Sequence, residues 1–117
     1  MDEWILEEIE GMDLRYVWGK RTWRGSEVLI YTILNHRPVV ISKGKPLKAA
    51  EELEEWVYEY FRKRKNYTYV NIHVIGAPAY RSVVLHHIQE SGLKLKRGRW
   101  YRRLGYIVCW KIYNPYL

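Results

Sequence analysis

Residues 38–61 read PVVISKGKPLKAAEELEEWVYEYF, and two hydrophobic periods meet inside them. Val39, Val40 and Ile41 form a short β-branched run, and Pro38 before them restricts how the chain enters it. After SKGKP the period becomes 3.6. Leu47, Ala50, Leu53, Trp56, Val57, Tyr60 and Phe61 fall on one stripe, while Glu51, Glu52, Glu55 and Glu59 turn elsewhere. Pro46 suits the first helical position, where its missing N–H costs nothing. The stretch therefore predicts a strand, a turn holding a glycine between two lysines, and an amphipathic helix. The helix closes on Arg62, Lys63, Arg64 and Lys65, where cations complement the negative end of the helix dipole.

Downstream, residues 67–75 (YTYVNIHVI) alternate, with Val70, Ile72 and Val74 on one face and Tyr69, Asn71 and His73 on the other, as a strand requires. Gly76-Ala77-Pro78 leads into a second helix over about 78–91, carrying Tyr80, Val84, Leu85 and Ile88, with Gly92 as its C-terminal cap. A final hairpin follows, with arms at about 93–97 and 104–113. On its last arm both faces are apolar, which places that strand centrally in a sheet or at a subunit interface. Upstream, residues 14–18 and 28–34 flank the turn-like GKRTWRGS and read as a hairpin, which Asn35-His36-Arg37-Pro38 interrupts. Residues 2–11, with Trp4, Ile5, Leu6 and Ile9 at helical spacing, read as a short helix stopped by Gly11.

The fold class expected is α+β: a two-layer βαβαββ sandwich with two helices on one face of a four-stranded sheet, plus an N-terminal helix and β-hairpin extension. Residues 1–37 form the elaboration and residues 38–117 the domain proper, together one compact unit. The 117 residues contain no repeat and no linker.

Charge is the first functional clue. Residues 1–60 carry 8 Lys/Arg against 12 Asp/Glu, whereas residues 61–117 carry 12 against the single acid Glu90. The second part thus has a net charge of +11, which attracts polyanions. The only cysteine, Cys109, excludes an internal disulfide or a Cys-rich zinc site and reads as a core residue of a strand. No apolar run approaches the roughly 18 residues of a membrane span. The acidic start is unlike a secretory signal, so a soluble, cytoplasmic protein is expected. One Gln and four Asn hint at a thermophilic source.

From about residue 38 to the end the chain resembles the Alba family of small archaeal chromatin proteins. The residues that carry the likeness are VVISKGKPLKAAEELEEWVYEYF, with Lys45-Pro46 at the end of the family's turn, then YVNIHVIG, APAYRSVVLHHIQ and LKLKRGRWYRRLGYIVCWKIY. Gly44 replaces one family lysine and Lys43 stands one place earlier. Where the family carries arginines after the second strand, this chain has Gly76-Ala77-Pro78-Ala79 and only then Arg81. The resemblance implies a homodimer whose turn lysines touch phosphates along a DNA duplex while two hairpin arms reach its minor grooves. The same topology occurs in the C-terminal domain of translation initiation factor three and in some RNase P subunits.

The residues themselves favour backbone contact. Each phosphate neutralised by Lys or Arg releases counterions, so such binding weakens steeply with salt. The hairpin supplies Lys96, Arg97, Arg99, Arg102 and Arg103 with Trp100 and Tyr101 between them, a pattern suited to phosphate contact with groove insertion or stacking. Lys43 and Lys45 flank a glycine at a strand-to-helix junction, a natural phosphate seat. Arg81 adds a further cation, and Arg62, Lys63, Arg64 and Lys65 are possible additional contacts. Adjacent His86 and His87 point about 100° apart on a helix and cannot chelate together, so no metal is expected. His73 reads as a sheet-face residue rather than a base. Glu90 is the only acid after Glu59, the acids of the long helix read as its solvent face, and the sequence has no nucleophile elbow or phosphate loop, so neither an enzyme nor a cofactor is expected.

Three functions fit. The first is a largely sequence-nonspecific DNA-binding or architectural homodimer, with Trp110 and the second helix at the dimer interface. The second is an RNA-binding subunit on the same scaffold. The third is a viral or plasmid-type protein–protein adaptor using Trp4, Trp18 and Trp23.

Overall fold

The computed structural model describes residues 26–97 and 107–117. In chain order these form β1 (Val28–Leu34), β2 (Arg37–Gly44), α1 (Pro46–Arg62), β3 (Tyr69–Ile75), α2 (Pro78–Glu90), β4 (Leu95–Arg97) and β5 (Ile107–Tyr113). The expected helix at 2–11, the strand at 14–18 and the hairpin tip beyond Arg97 lie outside the described residues.

The sheet is five-stranded, ordered β2-β1-β3-β5-β4, and every neighbouring pair is antiparallel. The expected four-stranded sheet is corrected by β1, which stands between β2 and β3 as a fifth strand. The cause is local. Asn35 and His36 have φ of 52° and 64°, and Leu34 pairs with Arg37, so two left-handed residues close a tight hairpin in the manner of a type I′ turn. Asparagine and histidine tolerate that conformation better than most side chains. What reads as an interruption is the turn itself.

Both helices cover one face of the sheet. Val28 and Ile30 of β1, Val70, Ile72 and Val74 of β3, and Trp110 and Ile112 of β5 meet Leu53, Val57 and Phe61 of α1 and Val84 and Ile88 of α2 in one core. Burying each such side chain contributes about 1.5–3 kcal/mol, which is what holds the two layers together. The helical stripe departs from expectation at its start: Leu47 is 54% exposed, and Pro46 and Ala49 are buried in its stead. Ser42 on β2 donates to the Ala49 carbonyl (2.9 Å), which sets the first turn of α1 against the strand. As its two apolar faces predict, β5 lies inside the sheet, between β3 and β4. On the opposite face Leu29, Tyr31, His73, Ile75 and Cys109 are also buried.

The far end of the sheet is fastened by Asn114. Its Nδ2 donates to the carbonyls of Lys65 (3.0 Å) and Tyr67 (2.8 Å), and its Oδ1 accepts from the Tyr116 N–H (2.7 Å). After α2, Gly92 takes a φ of 85°, the left-handed position that a C-terminal cap reserves for glycine. Among the described residues no helix is long and apolar enough to cross a membrane.

Candidate nucleic-acid interface

Strand register decides which charges share an end of the sheet. Val28 pairs with Gly44, Leu29 with Ile75, and Ile75 with Ile107, so the 43–45 turn, the start of β1, the 76–78 turn and the start of β5 all lie at one end. Both helices begin there. At α1 the N-cap is Lys45 and at α2 it is Ala77; neither gives a side-chain cap, each is followed by proline, and neither first turn holds an acid. Two helix N-termini thus direct their partial positive charge toward the same end without a carboxylate of their own to offset it.

Side chains add to that field. Lys43 and Lys45 are exposed, and Lys45 Nζ donates to Ser26 Oγ at 2.9 Å. Gly44 between them has φ of 121°, a conformation that lets the strand turn directly into the helix. Arg81 lies one turn into α2 and half-buried. Of the described carboxylates, Glu27 alone stands at this end; Glu51, Glu52, Glu54, Glu55 and Glu59 run along α1, and Glu90 closes α2 at the other end.

Several residues singled out in the sequence fall elsewhere. Arg97 pairs with Trp110 and so faces the helices, whereas Lys96 pairs with Lys111 and faces the other way. Adjacent cations on a strand are divided by the pleat. The run 62–65 ends α1, at the opposite end of the sheet, where β3 starts opposite Tyr113. There Arg62 and Lys63 pair with Glu59 at 2.7 and 3.6 Å, and Arg64 sits 4.3 Å over the Tyr60 ring. These exposed pairs are worth under about 1 kcal/mol each. Arg99, Trp100, Arg102 and Arg103 lie outside the described residues.

Compared with protein-family models, with curated proteins and with solved structures, the chain matches none. Its site is therefore read from its own geometry.

The histidines have structural partners. His87 Nε2 lies 2.9 Å from Glu54 Oε1, joining the two helices, and exposed His86 lies 3.7 Å from Glu90. His73 stacks on Tyr31 with ring centroids 4.8 Å apart, and burial pushes its imidazole down to about 4. Burial likewise pushes the Cys109 thiol up to about 11, with Lys111 opposing the shift, which leaves it a poor nucleophile at neutral pH. Trp110 is 6% exposed and belongs to the core of its own chain, so of the surface expected for a dimer only the outer side of α2, with Val83 and His86, is accessible.

One feature escapes the sequence altogether. A groove of about 420 Å³ separates α2 from the β4–β5 ribbon, with Arg81 on one wall and Arg97 on the other. Among the described residues, Leu85, Leu95, Val108 and Trp110 supply its apolar surface, and Ser82 and Gln89 add polar groups. The groove exists because Val84 and Ile88 are the buried positions of α2, which turns the line 78, 82, 85, 89 toward the ribbon. Burial first, and the charge of Arg97 second, push the Arg81 guanidinium below its ordinary value. Nothing in the spacing of Arg81 and Arg97 along the chain signals that they face each other; the α2-to-β4 reversal brings them together.

Proposed function

We propose that the chain is a largely sequence-nonspecific nucleic-acid-binding protein, with duplex DNA its favoured polymer, that grips phosphates at the sheet end where both helices begin. The observation that supports this most is the coincidence at that end of two acid-free helix N-termini with Lys43, Lys45 and Arg81. Strands β2 and β4 are four inter-strand spacings apart, about 19 Å, a span over which a duplex presents on the order of 11 phosphate charges. Strand β5 starts at this same end, and in the sequence it is preceded by Arg99, Trp100, Arg102 and Arg103, which add to the positive charge of this part of the chain.

In this reading the protein is an Alba-like architectural homodimer in the cytoplasm. Its β2-α1-β3-α2-β4-β5 order is that of the family, and β1 is an inserted strand. Lys43 and Lys45 hold the backbone while the hairpin reaches a groove. Structured RNA is the competing polymer, because its A-form helix offers the same phosphates around a different groove.

Competition decides between polymers. A labelled duplex of arbitrary sequence is challenged with an unrelated duplex and with structured RNA of equal length. Equal displacement by unrelated duplexes, and weaker displacement by RNA, is the expected result. Strong preference for one duplex sequence, or for RNA, overturns the DNA reading.

A further inference from the structure

We propose that the face of the sheet opposite α1 and α2 carries a second site, at the end away from the helix N-termini, which stacks unpaired bases of single-stranded DNA on Tyr69 and Tyr113 and holds their phosphates with Lys94, Lys96 and Lys111. It goes beyond the duplex reading and rests on that reading only for the choice of DNA over RNA.

Register builds the site from three neighbouring strands. Val70 and Ile72 of β3, Trp110 and Ile112 of β5 and Leu95 of β4 face the helices, so the pleat turns Tyr69, Asn71, Lys111, Tyr113, Lys94 and Lys96 to the other side. Tyr69 pairs with Tyr113 and Lys96 with Lys111, and the Tyr113 N–H donates to the Lys94 carbonyl (2.9 Å), which sets Lys94 beside Tyr113. Closer to the helix N-termini this face is closed, since Tyr31, His73, Ile75 and Cys109 are buried. Its far half is open. Tyr69 is 40% exposed, Asn71, Lys94 and Lys96 are exposed, and Lys111 and Tyr113 are half-buried. Strand β3 covers about 20 Å between Ile75 and Tyr69, which separates this surface from the end that holds Lys43 and Lys45.

Side-chain geometry selects the ligand. The Tyr69 and Tyr113 rings lie 6.2 Å apart at 61°, and Lys111 Nζ sits 4.6 Å over the Tyr69 ring. Every base has a π-face, so solvent-facing rings accept bases of any sequence. An exposed lysine–ring contact is weaker than base stacking, so an incoming base displaces the ammonium toward the adjoining phosphate. The lysines themselves favour an anion. Lys96 stands directly opposite Lys111, a placement of like charges that costs a sheet stability, and among the described residues none of Lys94, Lys96 and Lys111 is ion-paired. A run of phosphates relieves that repulsion. A duplex keeps its bases stacked on one another and offers the rings nothing, so the strand is single.

The test measures binding of octathymidylate, octauridylate, polyglutamate and a blunt duplex to the full chain, and photocrosslinks an octathymidylate that carries iododeoxyuridine. The wild type should bind octathymidylate more tightly than octauridylate or polyglutamate, with cross-links at Tyr69 or Tyr113. Tyr69→Ala and Tyr113→Ala should each lose about fivefold or more and Tyr69→Phe less than about twofold, while duplex affinity changes less than about twofold in all three. Lys96→Glu turns the opposed pair into one of opposite sign. It should flatten the log–log salt slope for octathymidylate by about 0.7 or more, yet keep or raise the melting temperature. Cross-links confined to other residues overturn the inference and leave the duplex interface standing, as does wild-type octathymidylate binding by Tyr69→Ala and Lys96→Glu. Tighter binding of octauridylate or polyglutamate than of octathymidylate overturns the choice of single-stranded DNA. Loss of octathymidylate binding in the variants of a protein that binds no duplex supports the sheet-face site and overturns the interface.

Discussion

Acidification should loosen this fold through one side chain, His73. Its imidazole is 7% exposed, held in the sheet with its ring stacked 11° from parallel to that of Tyr31, and burial lowers its pKa from 6.5 to about 4. In the unfolded chain the same group takes up a proton near 6.5. Between these two values the unfolded state binds the extra proton, so stability is full above about 6.5 and is lost as the pH falls toward 4. At about 1.4 kcal/mol per pH unit the loss from pH 7 to pH 4 comes to about 3 kcal/mol. That is a large part of the 5–15 kcal/mol, roughly, that keeps a domain folded. The assay is urea unfolding at pH 7, 5.5 and 4 of the wild type and of His73→Phe, which keeps a ring on Tyr31 but cannot titrate. Carboxylates titrate in both proteins and cancel in the comparison. The wild type should lose about 3 kcal/mol more than the variant over this range. Parallel stability curves for the two proteins would refute the reasoning.

Two further outcomes follow from buried groups. Asn114→Ala strands the Lys65 and Tyr67 carbonyls and the Tyr116 N–H, and should lower unfolding free energy by about 2–3 kcal/mol in the same urea assay; a loss under about 0.5 kcal/mol would remove the fastening role assigned to it. Cys109, buried and with its thiol pushed up to about 11, should react with a disulfide reagent at neutral pH only as fast as the chain opens, and at full rate in denaturant. Equal rates in both conditions would place it at the surface.

The parts of the fold legible in the sequence are those where one period runs uninterrupted. The acid-faced stripe of α1, the alternation of Val70, Ile72 and Val74, the glycine after α2 and the doubly apolar β5 each follow from side-chain spacing alone, because each buries a whole face. The place of β1 does not. Its turn, Asn35-His36, lacks the glycine that usually marks a two-residue hairpin, so the left-handed geometry is visible only in the coordinates. Leu47 shows the limit of a stripe at a helix end, where the entry angle from Ser42 and Pro46 decides which side chain turns inward.

The candidate site divides in the same way. Lys43, Lys45 and Arg81 were legible as cations near helix starts, and register is what gathers them at one end. Local counting could not separate Lys96 from Arg97, or place the 62–65 run at the opposite end, since both depend on strand pairing and helix direction. The Arg81–Arg97 groove is a wholly tertiary object.

The central claim concerns one end of the sheet, and the salt dependence of duplex binding tests it most directly. Three phosphate contacts from Lys43, Lys45 and Arg81 give a log–log slope of about −2.7, or a roughly fortyfold loss of affinity between about 50 and 200 mM salt. Replacing Lys43 and Lys45 by Ala should flatten the slope by about 1.8, while replacing Arg62, Lys63 and Lys65 by Ala should leave it unchanged. Affinity that is indifferent to salt, or a slope that flattens as much for the second set as for the first, would contradict the account.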